Sequence, residues 1–221
     1  MINIPGAASS SKASYDVIPV DAYPARFSRF VGLGVQAQRP YLGKEKKPAF
    51  KVSLAFELIG VKVTGTDAEG NPTEPRPAVV YATMFLHPGA TRGHAFDFAK
   101  AIDSNLTETP KSFEWFVKNL GAPLMVNVQQ YEKDGITKNA VGQFSKLPSA
   151  FASTLGPCET ELLSFIPYAD DEVNQAAYNK LFDYQRDMLT EAVDAKHIPF
   201  AGRAPVTAEN TNTDDNDDVP Y

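Results

Sequence analysis

A mainly β fold is what the sequence predicts: a small five-stranded barrel with a helical insertion between its third and fourth strands. A C-terminal amphipathic helix and an acidic tail follow. Three observations lead there. Alternating apolar residues recur in segments of strand length. The alternation is interrupted once, midway, by helical spacing. The last eighteen residues, 204–221, hold five acids and too few apolar side chains to build a core.

Taken in chain order, residues 1–16 are rich in Ser, Ala and Gly and read as a flexible arm. The stretch "AYPARFSRFVGLGVQ" (22–36) is the first strand, and its paired Gly32 and Gly34 mark a bulge or sharp coil of the kind small barrels need. In "AFKVSLAFELIGV" (49–61), Phe50, Val52, Leu54, Phe56 and Leu58 share one face, opposite Lys51, Ser53 and Glu57. "GTDAEGNPTEPRP" (65–77) carries only turn chemistry, and "AVVYATMFLH" (78–87) is the third strand. Two helices follow, over 93–103 and 109–121; the second has Pro110 near its start and Gly121 at its close. "APLMVNVQQYE" (122–132) and "TKNAVGQFSKLP" (137–148) are the last two strands, reversed at "KDG".

Three strands, a helix and a two-stranded hairpin is the order of an OB-fold, so the expected architecture is an OB-fold-like barrel over 17–150. A helical extension (151–203) follows, with one amphipathic helix over 170–196. Its apolar stripe runs through Val173, Ala177, Leu181, Tyr184, Met188 and Val193. The tail, 204–221, is expected to be disordered.

Composition bounds the function. The chain has 221 residues, one cysteine and a net charge of −6. A single cysteine excludes an internal disulfide framework and fits a reducing cytosol. No apolar run is long enough to span a bilayer, and no secretory leader pattern is evident. The charge is unevenly spread: residues 1–66 hold nine basic and four acidic side chains (+5), residues 67–203 twelve and eighteen (−6), and residues 204–221 only five acids (−5). A basic front with an acidic end keeps nucleic acid open as a partner despite the acidic total.

The richest candidate site is "AQRPYLGKEKKPAFK" (37–51), between the first two strands. It interleaves Arg39, Lys44, Lys46, Lys47 and Lys51 with Tyr41 and Phe50. Single-stranded nucleic acid needs cations to follow its phosphates and flat faces to stack its bases. The hairpin between the last two strands repeats this composition with Tyr131, Lys133 and Lys138. In OB-folds these two loops flank the binding face. Arg26 and Arg29 on the first strand add charge; three apart, they face opposite ways unless a bulge intervenes. Tyr81 and Phe85 on the third strand become stacking platforms if the Val80, Ala82, Met84 and Leu86 face fills the barrel. Signatures of an enzyme are lacking: His87, His94, His197 and Cys158 have no zinc-site spacing, "VGLGVQ" is not followed by a phosphate-binding helix, and Asp170, Asp171 and Glu172 suit a helix N-terminus. No cofactor or metal is expected.

The closing residues "DDNDDVPY" combine Asp214, Asp215, Asp217 and Asp218 with Val219, Pro220 and Tyr221. An aromatic and a valine to enter a pocket, a carboxylate for a basic partner and aspartates for a basic rim make a peptide ligand. This ending resembles the acidic tip of bacterial single-stranded DNA-binding proteins, with Val219 for isoleucine and Tyr221 for phenylalanine. The front, "YPARFSRFVGLGVQAQRPYLGKEKKPAFKVSLAFELIG", is similar to one group of bacteriophage single-stranded DNA-binding proteins.

The resemblance implies a non-sequence-specific single-stranded DNA-binding protein of phage DNA replication, recombination or repair, located in the cytoplasm of the infected host. It also implies that the tip recruits replication or recombination partners, and it leaves room for a homo-oligomer. The opposite charges of front and tail would let the tail compete with DNA. Two other readings stay open: an OB-like adaptor that binds protein alone, and a strand-annealing recombination mediator.

Overall fold

The computed structural model describes residues 14–67, 69–133, 135–152 and 155–206. The acidic tail from 207 onward, with its Asp214–Tyr221 tip, and residues 1–13 lie outside the described residues. The described chain runs β1 (Ser14–Tyr15), β2 (Asp21–Gln36), β3 (Ala49–Val63), β4 (Gly65–Thr66), β5 (Arg76–Leu86), α1 (His94–Ile102), α2 (Phe113–Lys118), β6 (Pro123–Lys133) and β7 (Ile136–Ser145). It continues with α3 (Ser149–Ala152), β8 (Leu163–Phe165), α4 (Glu172–Asn179), α5 (Asp183–Thr190) and a 3-10 turn at Ala195–His197. Among these residues no helix is long and apolar enough to cross a membrane.

The five long strands fall where alternation predicts them, in the order β5-β3-β2-β6-β7, all antiparallel. The sheet is open: β5 and β7 approach each other without a hydrogen-bonded ladder between them, so the expected closed barrel is not formed. Helix α1 occupies the gap, touching β5, β6 and β7. It presents Phe98 to Phe27, Phe56 and Phe144 at ring separations of 5.0, 5.6 and 5.4 Å. A curled sheet that leaves one seam unbonded must bury that seam under side chains, and the phenylalanines do so.

The first core lies inside this curl. It takes Ala25, Phe27 and Phe30 from β2, Val52, Leu54, Phe56 and Leu58 from β3, and Val80, Met84 and Leu86 from β5. The face of β5 that fills the interior is therefore the Val80 face, and Tyr81 and Phe85 point outward.

The segment before β2 is partly tied down. Ser14–Tyr15 pairs with Gly65–Thr66, and the Asp16 amide donates to the Thr64 carbonyl. That pairing reaches into the last residues of the expected arm.

The extension after residue 155 completes the fold. On one side β2 pairs with β3; on the other it pairs with β6 over residues 21–26 and then with β8, in parallel, over residues 29–31. The switch falls at a bulge on Ser28. Past that point the edge of β2 would be bare, and β8 covers it. A second core forms on the outer face of the sheet, where Val31 and Leu33 meet Leu163 and Phe165 of β8, Tyr178 of α4, Leu189 of α5 and Phe200.

The single helix expected over 170–196 is two helices. Gln185 causes the interruption: its side-chain oxygen accepts from the Phe182 amide at 3.1 Å and its Nε2 donates to Ser53 Oγ at 3.1 Å. The end of α4 and the start of α5 are thus anchored to β3 at one buried point. The predicted stripe frays accordingly, with Val173 at 76% and Val193 at 60% exposure.

Candidate nucleic-acid interface

The β2–β3 connection, residues 37–48, is a small ordered finger. Tyr41 and Lys44 exchange both backbone hydrogen bonds, at 2.9 and 3.0 Å, around Leu42 (φ 51°) and Gly43 (φ 74°). Positive φ at both central residues is the signature of a tight hairpin reversal. Gln38 Nε2 braces the base by donating to the Lys47 carbonyl at 2.6 Å. At the tip the Tyr41 ring is 62% exposed and Leu42 is 83% exposed, and the Lys46 ammonium stands 4.9 Å from the Tyr41 ring centroid. Arg39, Lys44 and Lys47 are exposed around them. Cations and an aromatic face are thereby presented together.

Lys51, at the foot of the finger on β3, is opposite Phe85 of β5 in register, and its ammonium lies 5.7 Å from that ring centroid. Burial, and secondarily the Arg39 charge, hold the Lys51 pKa below the usual lysine range. Two cations in one locality favour an anion between them, because an added negative charge relieves their repulsion. His87 continues the row, its ring 6.4 Å from Phe85.

Other predicted residues are placed differently. Arg26 has its donors committed: Nε to the Gly156 carbonyl at 2.6 Å, Nη1 to Gly121 at 2.7 Å and Nη2 to Leu155 at 3.0 Å. It fastens the start of the extension to the sheet, each of its three nitrogens donating to a backbone carbonyl. The Ser28 bulge brings Arg29 to the same outer side, 5.6 Å over the Phe182 ring.

Phe50 is half-buried against Phe113 and Tyr168 at 5.0 and 6.1 Å, and packs on the first core rather than serving as a platform. Tyr81 meets Phe182 edge-on at 5.5 Å. The β6–β7 hairpin pairs Tyr131 with Lys138 and Lys133 with Ile136. The Tyr131 hydroxyl is buried, and that burial raises its pKa. This hairpin and the finger leave opposite ends of β2, the hairpin extending past Asp21 and the finger following Gln36.

Beyond the expected residues, Leu42 and His87 are exposed and Phe182 is half-buried at the surface. Phe182 was hidden by the assumption of one continuous helix. Two aromatics at 182 and 184 cannot both lie on one helical stripe, and that spacing was the available signal. No group of three or more His, Cys, Asp or Glu side chains suited to a metal occurs among the described residues. The half-buried Cys158 thiol is pushed up to about 11 by burial and by Glu57, against the opposing pull of Arg26, which is the reverse of an activated nucleophile. No protein-family model matches the chain, and no curated protein matches it.

Proposed function

We propose that this protein binds single-stranded DNA without sequence preference and serves as a coating protein in replication, recombination or repair. The observation that carries the reading is the finger at 37–48, where Lys46 stands over an exposed Tyr41 among Arg39, Lys44 and Lys47. Stacking and phosphate neutralisation are both independent of base identity, so a site built from them discriminates single strands from duplex rather than sequence from sequence. The strand order β5-β3-β2-β6-β7, with α1 between the third and fourth long strands, supports reading the sheet as an OB-fold left open at one seam. The +5 charge of residues 1–66, the segment that holds the finger, supports the same reading. The acidic segment with Val219, Pro220 and Tyr221 then supplies a peptide for replication or recombination partners.

The test is fluorescence anisotropy of labelled oligo-dT titrated at several salt concentrations, with the full chain and with Lys44, Lys46 and Lys47 all changed to Ala. Loss of three phosphate contacts flattens the slope of log K against log salt by about 2, since each contact contributes roughly 0.7 for single strands. An unchanged slope removes the finger from the interface.

A further inference from the structure

We infer that the C-terminal extension forms one wall of the nucleic-acid path, with Phe182 at the break between α4 and α5 as its aromatic contact. The inference rests on the single-strand reading above and extends its site beyond the finger.

The outer face of the central strands is closed to any ligand. Ser53, Ala55 and Glu57 of β3 are 1%, 0% and 2% exposed. Gln185 reaches Ser53, and the Glu57 carboxylate accepts from the Glu159 and Thr160 amides at 2.8 and 2.6 Å. What stays half-open is the outward row of β5: Tyr81, Thr83 and Phe85. The extension borders that row, since the Phe182 ring touches Tyr81.

Three aromatics in this strip, Tyr81, Phe85 and Phe182, belong to neither hydrophobic core, although each is half-buried. Each end of the strip has a cation over a ring: Lys51 over Phe85 and Arg29 over Phe182. Phe182 also lies parallel to Tyr184, at 5.8 Å and 14°. The outward residues at 81 and 85 are four apart on one strand, about 13 Å. The rings at the two ends of the strip, each with its cation, repeat the Tyr41–Lys46 arrangement of the finger. A chain of bases following the strip from the finger would meet Phe85 first and the Phe182 group second.

An extension that only sealed the sheet would place its aromatics inward, as Phe165, Tyr178 and Phe200 are placed. Phe182 is held instead at the rim by the Gln185 bond to its amide, which fixes the backbone while leaving the ring outside the core.

The experiment is photo-cross-linking of the full-length protein to 5-iodouracil-substituted oligo-dT, with peptide mapping, beside anisotropy titrations of Phe182→Leu and Phe182→Tyr. Cross-links are expected in two places, the 37–51 segment and the 181–186 segment. Phe182→Leu is expected to weaken binding roughly 5- to 150-fold, the range for loss of one stacked base, and Phe182→Tyr to restore it. Cross-links confined to 37–51 overturn the wall while leaving the finger's role intact, whatever the variants' affinities. Wild-type protein that neither binds nor cross-links overturns both readings.

Discussion

Arg26 and Lys46 show how two similar side chains divide between holding the molecule together and meeting a ligand. Arg26 donates to three backbone carbonyls on two separate segments, and the part-buried acceptors Gly121 and Leu155 would otherwise face the cost of an unmade bond. Arg26→Ala is therefore expected to lower stability by about 2–4 kcal/mol, measured by urea denaturation, while the folded protein keeps its affinity for oligo-dT. Lys46, exposed over Tyr41, has the opposite profile, and its loss acts on binding rather than on folding. Nothing in the residue types separates these two cations. The division depends on Gly121, Leu155 and Gly156, which are remote in sequence from Arg26 and cannot be placed beside it from local pattern.

Elements followed local pattern where one face is buried and departed from it where two are. The alternation of β3 predicts its inward face correctly because Val52, Leu54, Phe56 and Leu58 all enter the first core. It misleads on the outward face: Ser53 and Glu57 are polar and yet buried, satisfied by Gln185, Glu159 and Thr160. A polar residue in strand alternation signals solvent unless a later segment brings it a partner. The same gap explains the helix read as continuous over 170–196, since its break is made by a tertiary bond.

The glycines of β2 were legible as a bulge, and the structure adds their reason. At Gly32 a Cβ would come 2.5 Å from Pro167 Cδ, and at Gly34 (φ 73°) it would come 2.8 Å from Ile198 Cδ1 and 3.0 Å from Ala192 Cβ. Gly34→Ala combines a left-handed backbone with a steric clash, so a loss of roughly 2–4 kcal/mol is expected in thermal or urea unfolding. An unchanged midpoint would mean that the extension does not sit against β2 at this point.

Across the whole molecule, the extension covers much of the outer face of an open sheet. β8 caps the second half of β2, α5 packs on β2 and reaches Ser53 of β3 through Gln185, and the outward β5 row with the finger remains half-open or exposed. Charge follows the same division. The finger and its cations belong to the basic front, +5 over residues 1–66, while residues 67–203, which include β5 and the extension, carry −6; on the proposed function an anionic strand meets the finger first.

The five long strands and the basic loop at 37–51 were readable in the sequence because each is a local pattern, whereas β8, the sixth strand of the sheet, was not. The open seam and the buried outer face were not, because both depend on contacts between segments far apart in the chain. A strip lined by single rings and cations suits a flexible strand whose bases can splay, and it offers a base-paired duplex no exposed bases to stack. The most direct measurement is a competition titration of the full-length protein bound to labelled oligo-dT, challenged with unlabelled single strand or with duplex of equal length at one salt concentration. The single strand is expected to displace the label at far lower concentration than the duplex. Equal displacement by the two, or no binding of oligo-dT at the outset, would contradict it.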